Sequence, residues 1–356
     1  MDDFLLRHCA QCLSAWYTTH FRPLPWRLDP TPYRVWISEI MLQQTRIEAV
    51  LPYYERFMRR LPDVTSLADV SEDELLKLWE GLGYYSRARN LKKAAEIICK
   101  HYGGELPCDY RALLALPGIG EYTAGAIASI AFSIPVPAVD GNVMRVLARL
   151  TGDDTDVLST LGKKRFTALA ARMVPQEQPG RFNQALMELG ETICLPNQTP
   201  RCAHCPLRDV CVAHAGGLTD VLPVRNKKTK RRMEERMVYV VVTDEQPRRV
   251  LLHKREDKGL LAGLWELPNK LSDEPIPPII PLTEGDGSVG TLPKSKHIFS
   301  HITWLMEGTL VYTSPFPLPA NYVFADANEL AQVYALPSAF SAYAARLPAI
   351  LSKEDV

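Results

Sequence analysis

A chain of 356 residues is too long for one small domain and sets an expectation of two or three. Hydrophobic content of 46% and charged content of 23% are ordinary for a folded soluble chain, which excludes disorder and a long coiled coil. The 41 basic and 41 acidic residues cancel, which excludes a protein that coats nucleic acid by bulk charge but leaves room for a local patch.

The chain opens MDDFLLRHCA, acidic at its start and without a long apolar region, so no signal peptide and a cytosolic setting are expected. Cys9 and Cys12 form a C-x2-C inside an apolar helical stretch, where thiols are expected to serve as core. Residues 32–50, PYRVWISEIMLQQTRIEAV, follow as a helix. Its Glu39 is surrounded in sequence by Trp36, Ile37, Ile40, Met41 and Leu42. A single acid on a helix is usually solvated or ion-paired. Taken alone, Glu39 reads that way too; the alternative on so apolar a segment is burial, which raises a carboxyl pKa toward the range of a general acid. Residues 67–83 carry a Ser71 N-cap with acids in the first turn, and 88–104 end in two glycines, as helices do.

Residues 113–132 read as a short helix, a tight hairpin Pro117-Gly118-Ile119-Gly120 and a second helix opening at Glu121. Glycines let backbone N–H groups approach a phosphate and a helix N-terminus favours the anion, although a PGIG taken alone is also a plain turn. The uncharged stretch 123–139 contains Pro135 and Pro137; it falls short of a membrane span and reads as buried core. Asp140 stands before a strongly periodic helix. It is a plain N-cap on one reading, and on the other a carboxylate held ionised by the helix end, suited to a developing oxocarbenium ion. Glu39 and Asp140 together form two acids whose surroundings push their pKa values apart.

Cys194, Cys202, Cys205 and Cys211 cluster as C-x7-C-x2-C-x5-C. Without a secretory signal this reads as metal binding, and four thiolates suit zinc or an iron–sulfur cluster. The single tight loop, unlike two separated knuckles, disfavours zinc. Up to here every element is helical. Residues 225–236 hold seven basic residues against two acidic ones without apolar periodicity, and read as a solvated linker. Strands follow at 237–244, 248–256 and 297–313, while 272–295 is rich in Pro and Gly and reads as loop.

The stretches LPWR (24–27), WISEIMLQQTRIEAV (36–50), WEGLGYYSRARNL (79–91), LPGIGEYTAGAIASIAF (116–132), AVDGNVMRVLARL (138–150) and FNQALMELG (182–190) together resemble the adenine DNA glycosylases of the MutY family, within the endonuclease III superfamily. The likeness continues as GLLAGLWELPN (259–269) and HIFSHITW (297–304), and so covers most of the chain. It implies an all-α helix-hairpin-helix glycosylase domain over 1–216 with an iron–sulfur loop at 194–211. A basic linker at 217–236 and a C-terminal α/β Nudix-like domain over 237–356 follow from it as well. The implied reaction is hydrolytic removal of adenine mispaired with 8-oxoguanine or guanine, in base excision repair. The implied partner is double-stranded DNA bearing that mispair, bound by a monomer in the cytoplasm, at the nucleoid if the source is bacterial.

Carried over by position, Glu39 protonates the flipped adenine and Asp140 stabilises the sugar cation, directly or through a transient covalent bond. Tyr122 and Asn142 orient these groups, and Arg27 lies at the side of the pocket. Gln44, Leu82 and Tyr84 wedge into the duplex, while Tyr85 is ordinary core. Gly118 and Gly120 hold phosphate. Phe299, Ser300 and His301 read the lesion. Bifunctional relatives carry a lysine where this chain has Tyr122, so no efficient strand cleavage is expected. The cysteines match the ligands of a [4Fe-4S] cluster, with one residue more than the usual spacing between Cys194 and Cys202; Arg201 and Arg208 are the basic residues such a loop would offer phosphate. No acidic helix follows GLWELPN, so the second domain is expected to recognise and not to hydrolyse. A pyrimidine or thymine-mismatch glycosylase is disfavoured by Gln43-Gln44 and the C-terminal domain. An inert damage-binding protein is disfavoured by the presence of both acids, and a nucleotide hydrolase by the missing ones.

Overall fold

The computed structural model describes residues 1–226, 231–280 and 289–352, with the side chain of Val289 excepted. Two compact units emerge: residues 1–69 with 89–228, and residues 70–88 with 229–356. The described part of the first unit is helical, as its periodicity predicts.

Its core forms where apolar residues recur at helical spacing. The helix Asp3–His20 buries Leu6, Cys9, Leu13, Trp16 and Tyr17 on one face, and Asp2 caps it by accepting from the Leu5 N–H at 2.8 Å. These side chains pack on Val143, Leu147 and Leu150 from the helix Gly141–Thr151 and on Phe182, Leu186 and Leu189 from the helix Pro179–Thr192. Cys9 is fully buried there and Cys12 lines the same core, which agrees with thiols used as small apolar groups.

The helix Glu121–Phe132 is lined by small residues and buried around most of its circumference. Only glycine fits at position 125, because a Cβ on Gly125 would stand 2.1 Å from the carbonyl oxygen of Pro137. The missing side chain lets the returning segment cross the helix closely and deliver Asp140. In the hairpin before it, Gly118 has φ +77°, and a Cβ would meet that of Asn90 at 2.7 Å, so both backbone and packing demand glycine. Gly120 has φ −92° and open space around it, and caps the Glu121–Phe132 helix with no side-chain hydrogen bond.

The second unit is built on a mixed seven-stranded sheet: β1 Arg232–Thr243, β2 Val250–Lys254, β3 Trp265–Glu266, β4 Asn269–Leu271, β5 Val289–Ile298, β6 Ile302–Thr313 and β7 Tyr322–Ala325. The order is β3-β2-β1-β6-β5, with β4 on β1 and β7 on β2; among the described residues only β1 and β6 run parallel. Alternation along β1 serves both faces. Val238, Val240 and Val242 enter one core with Trp304, Phe340 and Tyr343, whereas Tyr239 and Val241 enter another with Leu251 and Val311. Helices pack on one face of the sheet through Tyr343, Leu347 and Leu351, so the unit is α/β, as expected.

Two expectations need correction. The basic run 225–236 is not linker throughout: β1 begins at Arg232, in register with Ile302. The partner strand supplies backbone partners that composition cannot reveal. Arg236 lies over the Trp304 ring at 4.5 Å and pairs with Glu234 at 3.0 Å, which gives the charged residues a place in the strand. Residues 227–230 of that run lie outside the described residues. Likewise, 289–295 of the expected loop belongs to β5. Pro293 is tolerated because β5 is an edge strand and its register shifts between Leu292 and Ser295. Residues 281–288 of that loop lie outside the described residues.

Candidate active site

Glu39 sits in the middle of the helix Pro32–Leu42, which is capped by Thr31 and buries Val35, Trp36, Ile37 and Ile40. The same burial takes Glu39 to 6% exposure. Its Oε2 accepts from the Tyr122 hydroxyl at 2.5 Å. Loss of water raises the Glu39 carboxyl from the ordinary 4.5 to about 7; the Tyr122 hydrogen bond opposes this, and the charge on Asp140 adds to it. A group of this kind keeps its proton near neutrality until a base is there to receive it. Tyr122 is buried too, and its hydroxyl is pushed well above its usual range, so it stays protonated.

Asp140 is the N-cap of the helix Gly141–Thr151. Its Oδ1 accepts from the Val143 N–H at 2.7 Å and its Oδ2 from the Asn142 amide at 2.9 Å. The helix end does not depress this carboxyl as expected. Burial is the larger effect and raises it, while the Val143 N–H, the Arg145 guanidinium and the Asn142 amide pull it back. Glu39 has one hydroxyl donor, and the Arg27 guanidinium lowers it by less than the Asp140 charge raises it. Asp140 therefore loses its proton first, and its negative charge is one of the causes that hold Glu39 protonated. The two carboxyls are set apart by a balance of burial against donors and not by the helix dipole alone.

Glu39, Asp140, Tyr122, Asn142 and Arg27 line one cavity of about 100 Å3. Arg27 is held at its edge by an ion pair with buried Glu188 at 2.8 Å. Glu188 also pairs with Arg22, which reaches on to Glu191, another residue of the cavity wall. Gln184, Met187 and Glu191 all face the cavity from the helix Pro179–Thr192. Sequence reasoning gives these three positions no role. Their spacing of three and four residues was the available signal, since it places them on one face.

Arg145 is a further residue that sequence reasoning misses. Its Nη2 donates to Asn142 Oδ1 at 2.9 Å and to the Gly190 carbonyl at 2.8 Å, and its Nε to the Cys194 carbonyl at 2.8 Å. It is buried, and it ties the residue that orients Asp140 to the first cysteine of the loop. Nothing in a helix-periodic RVLARL marks one arginine as buried.

Around the cysteines, Arg149 donates to Cys194 Sγ at 3.3 Å and to the Leu195 carbonyl at 2.9 Å, and its own carbonyl lies 3.5 Å from Cys211 Sγ. Cys194, Cys202 and Cys211 each press electrostatically on Cys205, whose thiol burial pushes up to about 12. Among the described residues, no group of three or more His, Cys, Asp or Glu side chains is arranged to hold a metal ion. The donor set still fits an iron–sulfur cluster in kind: four soft sulfur donors brought into one neighbourhood, with a buried arginine as counter-charge. Arg201 is exposed, and Arg208 donates to His214 at 3.2 Å.

Gln44 is exposed with φ 59°, a left-handed conformation uncommon outside glycine. In the second unit, Tyr84 has φ 49°, is 49% exposed and lies under the Arg87 guanidinium at 5.6 Å. Leu82 is not presented for insertion. It is 7% exposed, because its loop closes on Trp79 and Arg87 through hydrogen bonds near 3.1 Å. Tyr85 is buried, as expected. At the β5–β6 turn, Phe299 folds inward on Trp304 at 4.8 Å and leaves Ser300 and His301 exposed at the tip. Among the described residues no helix is long and apolar enough to cross a membrane.

The family described as HhH-GPD superfamily base excision DNA repair protein matches residues 37–172, and the NUDIX domain family matches residues 238–346. The adenine DNA glycosylase of Mus musculus is 40% identical over 306 residues, covering 72% of this chain and 59% of its own, so this chain spans under two-thirds of that relative's length. The adenine DNA glycosylase of Buchnera aphidicola subsp. Baizongia pistaciae is 34% identical over 296 residues, covering 82% of this chain and 83% of its own. Among solved structures, a trapped endonuclease III–DNA covalent intermediate, an estranged-adenine complex, is similar with TM-score 0.52 and 26% identity. It covers 61% of this chain and 99% of its own.

Proposed function

Because this chain belongs to the adenine DNA glycosylase family, we propose that it releases adenine from duplex DNA by hydrolysing the bond between base and deoxyribose. The observation that carries this reading is the shared cavity: one acid that keeps its proton to about pH 7 and a second that gives it up earlier. Glu39 donates its proton to N7 of the extruded adenine. The C1′–N9 bond then breaks with its electron pair going to the base, and the sugar is left as an oxocarbenium ion. The Asp140 carboxylate stabilises that cation, with Asn142 and the Val143 N–H fixing its orientation. Water adds at C1′ and loses a proton, leaving an abasic site. Tyr122 offers a phenol where an amine would be required to capture the sugar, so the strand stays intact. Extruding the base costs a few kcal/mol, least at a mispair.

In this reading residues 1–216 perform the chemistry and residues 237–356 recognise the opposite base, with the exposed Ser300–His301 tip directed at 8-oxoguanine. The protein acts as a single chain. Cys194, Cys202, Cys205 and Cys211 hold a [4Fe-4S] cluster, which supplies a structural anchor for the loop and no redox step. Arg149 and Arg145 secure that loop to the helix that carries Asp140 at its start.

One assay tests the reading: base release from A·8-oxoguanine, A·G and T·G duplexes, with and without alkali. Adenine release with breaks appearing only after alkali is expected; thymine release, or breaks without alkali, would overturn it. In the same assay His301→Ala is expected to lower the preference for 8-oxoguanine over guanine by about tenfold, the worth of one good hydrogen bond to a charged or polar edge. An unchanged ratio would move lesion reading away from the tip. For the cysteine loop, anaerobically purified protein is expected to be coloured, with the thiolate-to-iron absorption at about 400 nm. Colourless protein carrying stoichiometric zinc would replace the cluster with a zinc site.

A further inference from the structure

We infer that Lys77 and Glu80 clamp the wedge-bearing loop 81–84 to the lesion-reading domain, so that wedge and reading tip belong to one module; the roles of both ends rest on the function proposed above. The placement is unexpected from the sequence, because residues 70–88 lie within the helical stretch yet pack in one compact unit with 229–356. The helix Glu72–Leu78 carries Lys77 near its end. The Lys77 ammonium donates to the Leu330 carbonyl at 2.8 Å and to the Tyr334 carbonyl at 3.2 Å. These carbonyls belong to the last turn of the helix Ala327–Gln332 and the residues just beyond it, where unpaired acceptors and the negative end of the dipole favour a cation. The same ammonium reaches Glu80 Oε2 at 2.6 Å, and Glu80 Oε1 accepts from the Leu336 N–H at 2.7 Å. Both side chains are partly shielded from water, at 17% and 32% exposure, so these charge-assisted bonds count for more than a surface pair.

The wedge follows at once. Gly81 (φ 98°) and Gly83 (φ 70°) let the chain turn sharply after Glu80, and Tyr84 follows in the left-handed region (φ 49°). Trp79 Nε1 and Arg87 close the loop by donating to the Gly83 carbonyl. The position of Tyr84 is therefore inherited from Glu80, and that of Glu80 from residues 330–336. Lys77 and Glu80 are positioning residues; neither lines the cavity that holds Glu39. A preorganised wedge needs less ordering when the duplex opens.

The test uses the full chain with Lys77→Met and Glu80→Ala made separately and Lys77→Arg as the conservative control. Amide hydrogen exchange is followed at Leu336, Leu82 and Arg87, together with single-turnover adenine release from A·8-oxoguanine and A·G duplexes. Expected are exchange at all three amides faster by about tenfold and a preference for 8-oxoguanine lower by about tenfold, with Lys77→Arg close to the parent. Unchanged exchange at Leu82 and Arg87 in both variants, or faster exchange with an unchanged preference, would overturn the clamp. If the parent protein released no adenine, the proposed function would fail while the exchange measurement still judged the clamp. Normal release with unaltered exchange would leave the function and remove the clamp.

Discussion

Glu39→Gln is expected to slow adenine release by roughly a hundred- to ten-thousandfold, the range spanned by positioned general acids, while affinity for the mispaired duplex changes little. Glutamine keeps the shape of the side chain, and its carbonyl accepts from the Tyr122 hydroxyl, so the cavity is retained and only the transferable proton is lost. Single-turnover release and a binding isotherm on the same preparation check both halves. Release within a few-fold of the parent would remove Glu39 as the acid.

The pH dependence follows with a definite sign. Glu39 must be protonated to act, so activity is expected to fall as pH rises through about 7. Asp140 must be ionised, so activity falls again on the acid side as its burial-raised carboxyl takes up a proton. A bell-shaped profile of kcat/KM reports both. Stability carries the same signature. Because the folded carboxyl of Glu39 titrates above its unfolded value of 4.5, folding is penalised as pH rises from that value to about 7. The penalty reaches about 3 kcal/mol once the buried group is ionised. Glu39→Gln removes this slope, so denaturant midpoints of parent and variant should agree near pH 4 and diverge in favour of the variant at pH 8.

Asp140→Asn is expected to lower the rate by about a hundred- to a thousandfold, as when one preorganised electrostatic partner of a transition state is removed. Asparagine caps helices about as well as aspartate, so its side-chain oxygen still accepts from the Val143 N–H, while its amide replaces the Oδ2 that accepts from Asn142 and costs about 1–2 kcal/mol. The variant thus separates the charge from the cap. Activity lost while the folded state persists assigns Asp140 to the chemistry. Activity retained would return it to an ordinary N-cap.

Both acids were legible in the sequence for local reasons. Glu39 stands among apolar neighbours at helical spacing, and Asp140 stands immediately before a periodic helix, so burial for one and a capping geometry for the other could be anticipated within a few residues. The hairpin at Gly118 is equally local. The clustering of the four cysteines was plain from their spacing, and the change from helical to alternating apolar pattern near residue 237 marked the second fold.

Other features depend on partners far along the chain. Tyr122 meets Glu39 across 83 positions, and Arg145 meets Cys194 across 49. Gly125 yields to the Pro137 carbonyl, and Lys77 reaches helix-end carbonyls more than 250 residues away. Strand β1 starts inside a basic run because β6 lies beside it, and Leu82 is buried because its own loop folds over it. Periodicity and caps are set by backbone geometry over one or two turns, so a linear string reveals them. Burial, pairing and the ordering of two carboxyl pKa values are set by what the folded chain brings alongside, and no window of neighbouring residues contains that.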